Sequence, residues 1–330
     1  MPLPRLVFYV SDAIALPSLD FLLGEGADSY ELVGVLTQPD RPSGRGKKLR
    51  PNPVKAWAAE KGLPVREPEK PGEAEVKWAR RADLALVMAY GHILSRSLLD
   101  APACGTFNLH GSLLPAFRGA SPAETALALG EKETGVTLMR VVPRMDAGPL
   151  VDAEAVTVKP DADGPSLRLE LAAACVPLLR RNLPAFLAGE AAETPQDEAS
   201  ATYCRKLRKA DGTLDFRASA PVLARRVAAF RGWPGSRFTC GDVVVKVGDA
   251  QALEVPALAP GEVGETEGFP LVVGTGRGSL ALLELQRPGG RMMPAADFLR
   301  GFPLSPGDIL PEQDDLTELL VPPPGNRPRS

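Results

Sequence analysis

Asn108 and His110 sit two residues apart in the run FNLHGSLLPAFRGASPAE, and the chain has only two histidines. Residues 104–109 read as a short buried strand that Gly111 breaks, and alternate side chains of a strand share a face. Asn108 and His110 therefore project together from a strand's C-terminal end, where open α/β sheets build their sites. An amide donor beside an imidazole suits attack on a carbonyl carbon. The amide can hold the oxygen as it gains charge, and the imidazole can move the proton. Asp146 follows in RVVPRMDAGPLV, in a turn after the apolar stretch 135–142. A carboxylate there could orient His110, set its tautomer or relay its proton through water. An Asn-x-His pair alone more often marks a structural turn than a catalyst, so the neighbourhood has to decide.

From Asn108 to Gly148 that neighbourhood resembles the 10-formyltetrahydrofolate-dependent formyltransferases. In that family an Asn, a His and a later Asp form the catalytic set, and the matching residues are Asn108, His110 and Asp146. The S-L-L-P element matches Ser112, Leu113, Leu114 and Pro115, and the R-G element matches Arg118-Gly119. E-T-G-V-T stands at Glu133–Thr137 and D-x-G at Asp146–Gly148. The resemblance implies a folate pocket lined largely by backbone. Its positions are Met88, Ala89, Tyr90 and Gly91 at a strand end, the Ser112–Pro115 turn, and Val141, Val142 and Arg144 before the catalytic Asp. Gly91 would let the backbone approach a flat ring closely. His92 reads as a surface residue. The one-carbon donor is then 10-formyltetrahydrofolate, and no metal is required.

Composition sets outer bounds. At 330 residues the chain can form two domains with separate cores. Its net charge of −3 carries no overall basic signature, so any contact with nucleic acid must come from local patches. The four cysteines, Cys104, Cys175, Cys204 and Cys240, form no C-x-x-C pair, which argues against a zinc cluster and for a reducing cytoplasm. The N-terminal apolar core is too short for a signal peptide. No apolar run approaches the roughly 20 residues of a membrane helix.

The elements that must hold the site alternate strand and helix through the first half. Residues 5–10, 32–36 and 84–89 read as strands, and 16–23 and 53–61 as helices. That order implies a Rossmann-like, doubly wound parallel sheet, as does the resemblance. No G-x-G-x-x-G follows the first strand, so nothing supports a dinucleotide. Residues 166–187 read as a helix interrupted at Pro177. Beyond them, a helix over 220–231 and short strands at 243–247 and 271–273 favour a smaller OB-like β-barrel. The expected domains are 1–189, catalytic; a linker, 190–206; 207–315, OB-like; and a disordered tail, 316–330.

Two basic segments bear on the substrate. Thr37–Lys55 carries Arg41, Arg45, Lys47, Lys48 and Arg50, and its glycines and prolines should keep it out of helix and strand. Arg205–Arg237 carries nine further cations, among them Lys206, Arg208 and Lys209. Either could be a solvated charged surface or a grip on a phosphate backbone. Similar segments mark the family members that formylate methionyl-initiator tRNA to N-formylmethionyl-tRNA, with no membrane and no obligatory protein partner. A formyltransferase acting on a small amine, or a non-catalytic RNA-binding protein on this fold, are the competing readings.

Overall fold

The run LALVM is buried at every position, as a strand covered on both faces of a sheet must be. The computed structural model describes residues 2–43, 48–50, 52–255 and 258–323. In chain order come β1 (Arg5–Val10), α1 (Leu16–Leu23), β2 (Glu31–Leu36), β3 (Arg41–Ser43), β4 (Lys48–Arg50), α2 (Pro53–Glu60), β5 (Val65–Arg66), α3 (Glu73–Ala79), β6 (Leu84–Met88), α4 (Arg96–Leu99) and β7 (Thr106–His110). They are followed by β8 (Arg118–Gly119), α5 (Pro122–Leu129), β9 (Glu133–Arg140), β10 (Leu150–Thr157) and α6 (Gly164–Ala188). The rest holds β11 (Tyr203–Cys204), α7 (Ala220–Ala229), β12 (Ser236–Cys240), β13 (Val243–Leu253), β14 (Val263–Thr266), β15 (Phe269–Gly274), β16 (Ser279–Gln286), β17 (Met293–Pro294) and α8 (Ala295–Gly301).

By its contacts the chain divides into two compact units. One is Met1–Gly119, Glu133–Thr157 and Arg168–Thr202; the other is Ala120–Lys132, Val158–Leu167 and the chain from Tyr203. The first unit contains a seven-stranded sheet of order β10-β9-β7-β6-β1-β2-β5. Strands β5, β2, β1, β6 and β7 are mutually parallel, as expected of a doubly wound fold. At the other edge β9 and β10 run antiparallel, which makes the sheet mixed. The chain departs from β1 to β2 on one side and to β6 on the other, so the topological switch lies beside the strand ends that lead into the site. One face buries Val7, Tyr9, Leu36, Ala85, Val87 and Tyr90 against the helix residues Val76 and Ala79.

Helix α6 is continuous through Pro177 and Pro184, where an interruption was expected. Its buried stripe, Leu171, Cys175, Leu178, Leu179, Leu183 and Phe186, lies on both sides of Pro177 and holds the helix across the missing N–H. The same helix is long and apolar enough to span a membrane by length and composition, contrary to the expectation for this chain. Its contacts are those of a core helix: the Phe186 ring lies 3.9 Å from that of Phe107.

The second unit contains a six-stranded antiparallel sheet of order β12-β13-β16-β15-β14, with β17 on β16. Leu223, Phe238, Val245, Leu271, Leu280 and Phe298 belong to its core. This small β domain is consistent with the OB-like barrel, although its strand order among the described residues is open. Three segments differ from expectation. Thr194 and Leu150 exchange backbone hydrogen bonds at 2.8 Å, so the polar stretch after α6 adds to the sheet edge instead of running free. The tail is packed at least to Val321: Leu319 is buried, and Val321 N–H donates to Tyr203 O at 2.9 Å. The basic Thr37–Lys55 segment forms a short antiparallel pair, β3 with β4, despite its prolines. Arg45 and Lys47 lie outside the described residues.

Candidate active site

β7 carries both Asn108 and His110, pairing parallel with β6 and antiparallel with β9. Asn108 faces Val87 and Met139 in register, and His110 faces Thr137. Strand alternation puts the two side chains on one face, as the spacing predicts. His110 is buried, and its Nε2 lies 3.0 Å from the carbonyl oxygen of Phe117. A carbonyl only accepts, so Nε2 carries the proton and the neutral ring leaves Nδ1 bare. Nδ1 faces Asp146 Oδ2 at 3.8 Å, longer than a hydrogen bond but within ion-pair range once the ring is protonated. Asp146 was expected to set the tautomer; the backbone carbonyl of Phe117, at hydrogen-bond distance from Nε2, favours the Nε2–H form. Asn108 is half-buried, and its amide has no hydrogen-bond partner among the described residues.

Three non-glycine residues adopt left-handed φ among the described residues: Ala89 (46°), Phe117 (57°) and Asp146 (48°). Such conformations cost about 1–3 kcal/mol each and cluster at functional sites. One is at the expected folate strand end. Another aims the carbonyl that holds His110. The third is the candidate catalytic carboxylate.

The Asp146 turn is held from several directions. Gly119 N–H donates to Asp146 Oδ2 at 2.8 Å. Gln196 Nε2 donates to the carbonyls of Asp146 (2.8 Å) and Gly148 (2.7 Å). Gln196 Oε1 in turn accepts from Arg118 Nε (3.0 Å) and Nη2 (2.7 Å). Arg118 is fully buried and also pairs with Glu198 at 3.0 Å. Arg144, expected at the folate, donates to the same Glu198 at 2.7 Å. Arg118 and Arg144 hold the Glu198 carboxyl below its ordinary value, the Arg118 hydrogen bond contributing most. Gly148 has to be glycine, because a Cβ there would meet Arg140 O at 1.9 Å.

The expected folate residues divide by exposure. Met88 is buried, its sulfur 3.9 Å from Cys175 Sγ, and Tyr90 packs into the sheet core. Ala89 and Gly91 are exposed and offer backbone. Gly91 has φ 80°, and a Cβ there would lie 2.6 Å from the Gln38 amide, so its glycine serves Gln38 and not only a ligand ring. Gln38 Nε2 and Ser11 Oγ both donate to Tyr90 O, at 2.7 and 3.1 Å; this bracing was not anticipated. Ser112 is fully buried, its hydroxyl given to Ala116 O at 2.6 Å, so it shapes the turn. Leu114 is buried, while Leu113, Pro115, Val141 and Val142 are partly exposed. Ile93, which sequence reasoning passed over, is 99% exposed beside this strand end. His92 is only half-buried, not a simple surface residue, and its ring lies 5.4 Å from that of Tyr90. Among the described residues no three His, Cys, Asp or Glu side chains cluster as metal ligands would.

Residues 17–176 match the family model for formyl transferase, and 206–303 match that for the formyl transferase C-terminal domain. A methionyl-tRNA formyltransferase of Methylococcus capsulatus is 41% identical over 91% of this chain and 98% of its own. One from Myxococcus xanthus is 42% identical over 93% and 98%. The chain belongs to the methionyl-tRNA formyltransferase family. About half of Aquifex aeolicus HypX offers a distant structural parallel. Its structure in complex with tetrahydrofolic acid superposes with TM-score 0.61 at 17% identity, covering 93% of this chain and 50% of that one.

The cations of the two basic segments are engaged differently. Arg41 is exposed and makes a surface ion pair with Glu69 at 3.0 Å, which a phosphate can displace at little cost. Lys48 and Arg50 are placed only through the backbone pairing of β3 with β4. Of the second segment, Arg205, Arg217 and Arg231 pair with acids within their own unit. Arg226 and Arg237 donate to the carbonyls of Thr317 and Lys209. Lys206, Arg208 and Lys209 are exposed and form no ion pair among the described residues.

Proposed function

We propose that this chain transfers the formyl group of 10-formyltetrahydrofolate to the α-amine of methionyl-initiator tRNA, giving N-formylmethionyl-tRNA, in the cytoplasm. The observation that carries the reading is likeness to methionyl-tRNA formyltransferases at about 40% identity through both halves of the chain. The donor supplies an activated formyl carbon when bound. The exposed backbone at Ala89 and Gly91, with the apolar Ile93 nearby in sequence and Val141 packed against the cluster that holds Val87 and Tyr90, fits a flat, largely apolar ligand with a polar edge.

The chain's own groups do the rest. A free α-amine has a pKa of about 7.7–8.0, so a mild base suffices near neutrality. The amine nitrogen bonds to the formyl carbon; His110 accepts the amine proton at Nδ1, the nitrogen left bare by the bond from Nε2 to Phe117 O, and returns it to the donor nitrogen as that nitrogen's bond to the formyl carbon breaks. Asp146 stabilises the resulting imidazolium across the 3.8 Å gap. The unpartnered Asn108 amide donates to the formyl oxygen as charge develops there. Arg41, Arg45, Lys47, Lys48 and Arg50, with Lys206, Arg208 and Lys209, hold the tRNA backbone. The catalytic groups Asn108, His110 and Asp146 lie in the first unit, and the cations Lys206, Arg208 and Lys209 in the second.

Transfer of labelled formyl from the donor to charged initiator tRNA tests this, with glycinamide ribotide and an amino-sugar nucleotide as parallel acceptors. Formylation of the tRNA alone is expected. Preference for either small amine would overturn the proposal.

A further inference from the structure

We infer that Gln196, anchored by Arg118, is a positioning residue that locks the Asp146 turn in its working geometry; this rests on the catalytic reading of Asp146. Asp146 holds a left-handed φ of 48° without being glycine, so the turn persists only if its surroundings over-determine it. Two of the carbonyls in that turn, Asp146 O and Gly148 O, accept from one atom, Gln196 Nε2, at 2.8 and 2.7 Å. A side-chain amide is the only common group that can give both hydrogens this way while its other end accepts. The accepting end, Oε1, is gripped by Nε and Nη2 of Arg118.

Arg118 is the anchor because it cannot move. Its side chain is fully buried and also bonds the Glu198 carboxylate through Nη1 and Nη2. The residue that follows it, Gly119, gives its N–H to the Asp146 carboxylate. Arg118-Gly119 thus acts on Asp146 twice: on the side chain through Gly119, and on the backbone through Gln196. Only Asp146, of the candidate catalytic groups, is held by residues 50 positions away in a stretch of small and polar residues. Displacement by one ångström can cost on the order of 100-fold in rate, so such a clamp is worth building.

The test separates the two ends of Gln196. Q196E keeps the acceptor for Arg118 but loses both donors, whereas Q196A loses everything. Q196E should lower single-turnover formylation roughly 10- to 100-fold, with KM for donor and tRNA within about twofold. In a D146N background the same change should cost less than about threefold, because both act through one carboxylate. A merely structural residue would cost the same fold in both backgrounds, and that additivity would overturn the inference. Amide exchange decides independently of activity. Gly119 N–H is protected by Asp146, so its exchange should speed up about 10-fold or more in Q196E while amides of β6 stay unchanged. Unchanged Gly119 protection would also overturn the clamp, whatever acceptor the enzyme formylates. Wild-type failure on charged tRNA would count against the proposed function, and the exchange result would still stand.

Discussion

The surroundings of His110 and the segment from Lys206 to Lys209 treat polar groups in opposite ways. Around His110 nearly every group is answered from within: Nε2 by Phe117 O, the Asp146 carboxylate by Gly119 N–H, the Asp146 carbonyl by Gln196. Among the described residues, Nδ1 and the Asn108 amide are left without a hydrogen bond. In the other region Arg205 is locked to Asp211 at 2.7 Å, while its neighbour Lys206 and then Arg208 and Lys209 face solvent. The contrast matches the two kinds of work that the proposed function requires. Chemistry needs groups held rigidly, with one or two atoms left unsatisfied. A polyanion needs charges left unpaired on the surface, where counterion release provides the driving force.

Breaking the first region should produce the largest effect. His110→Ala removes the bare Nδ1 and should lower turnover by about 10²–10⁴-fold, with tRNA binding within twofold. Single-turnover formylation at saturating tRNA reads this, and activity within a fewfold of wild type would remove His110 from the mechanism. Asn108→Ala deletes one oxyanion donor and should cost about 10²–10³ in kcat. If KM for the donor changes and kcat does not, Asn108 binds without catalysing.

The second region should respond in binding rather than turnover. Replacing Lys206, Arg208 and Lys209 together by Ala should raise the tRNA KM about 10-fold and flatten the log–log salt dependence by about one unit per lost contact. Neutralising Arg45, Lys47 and Lys48 should act in the same sense. An unchanged salt slope in either triple variant would mean that those cations are mere solvated surface.

Arg205 should behave differently from its neighbours, and with the smallest effect on activity. Burial pushes the Asp211 carboxyl up, but Arg205, the Thr317 hydroxyl and the Arg208 N–H outweigh it and bring it down to about 2. A depressed carboxyl contributes stability that is complete above its unfolded value of about 3.9 and is lost as pH falls toward 2. Asp211→Asn should therefore lower the stability of the second unit by about 3 kcal/mol near neutrality and blunt its acid unfolding between about pH 4 and 2. Thermal melts across that range check it; parallel curves for variant and wild type would show the pair to be dispensable.

Much of the site is legible in the sequence because it is local. The strand period puts Asn108 and His110 on one face, and the D-x-G turn announces Asp146. What holds them was not legible. The acceptor for His110 is a backbone oxygen, which no residue type reveals, and Gln196 meets Asp146 across 50 positions within a stretch whose composition resembles a linker. Continuity of α6 through two prolines was hidden for a related reason, since buried contacts on either side override local propensity. At Met88 and Ser112 residue type is no guide to pocket lining, because one side chain turns into the core and the other closes its own turn, which leaves their backbone to serve a ligand.

The central claim is that the fold presets His110 as a proton acceptor at Nδ1. With only His92 and His110 in the chain, ¹⁵N-histidine labelling gives two sets of ring signals, and a His92 variant assigns them. The measurement is made at alkaline pH, so that the neutral ring is observed. The account predicts that His110 carries its proton on Nε2, with Nδ1 showing the shift of a bare nitrogen. A proton on Nδ1, with Nε2 bare, would contradict it.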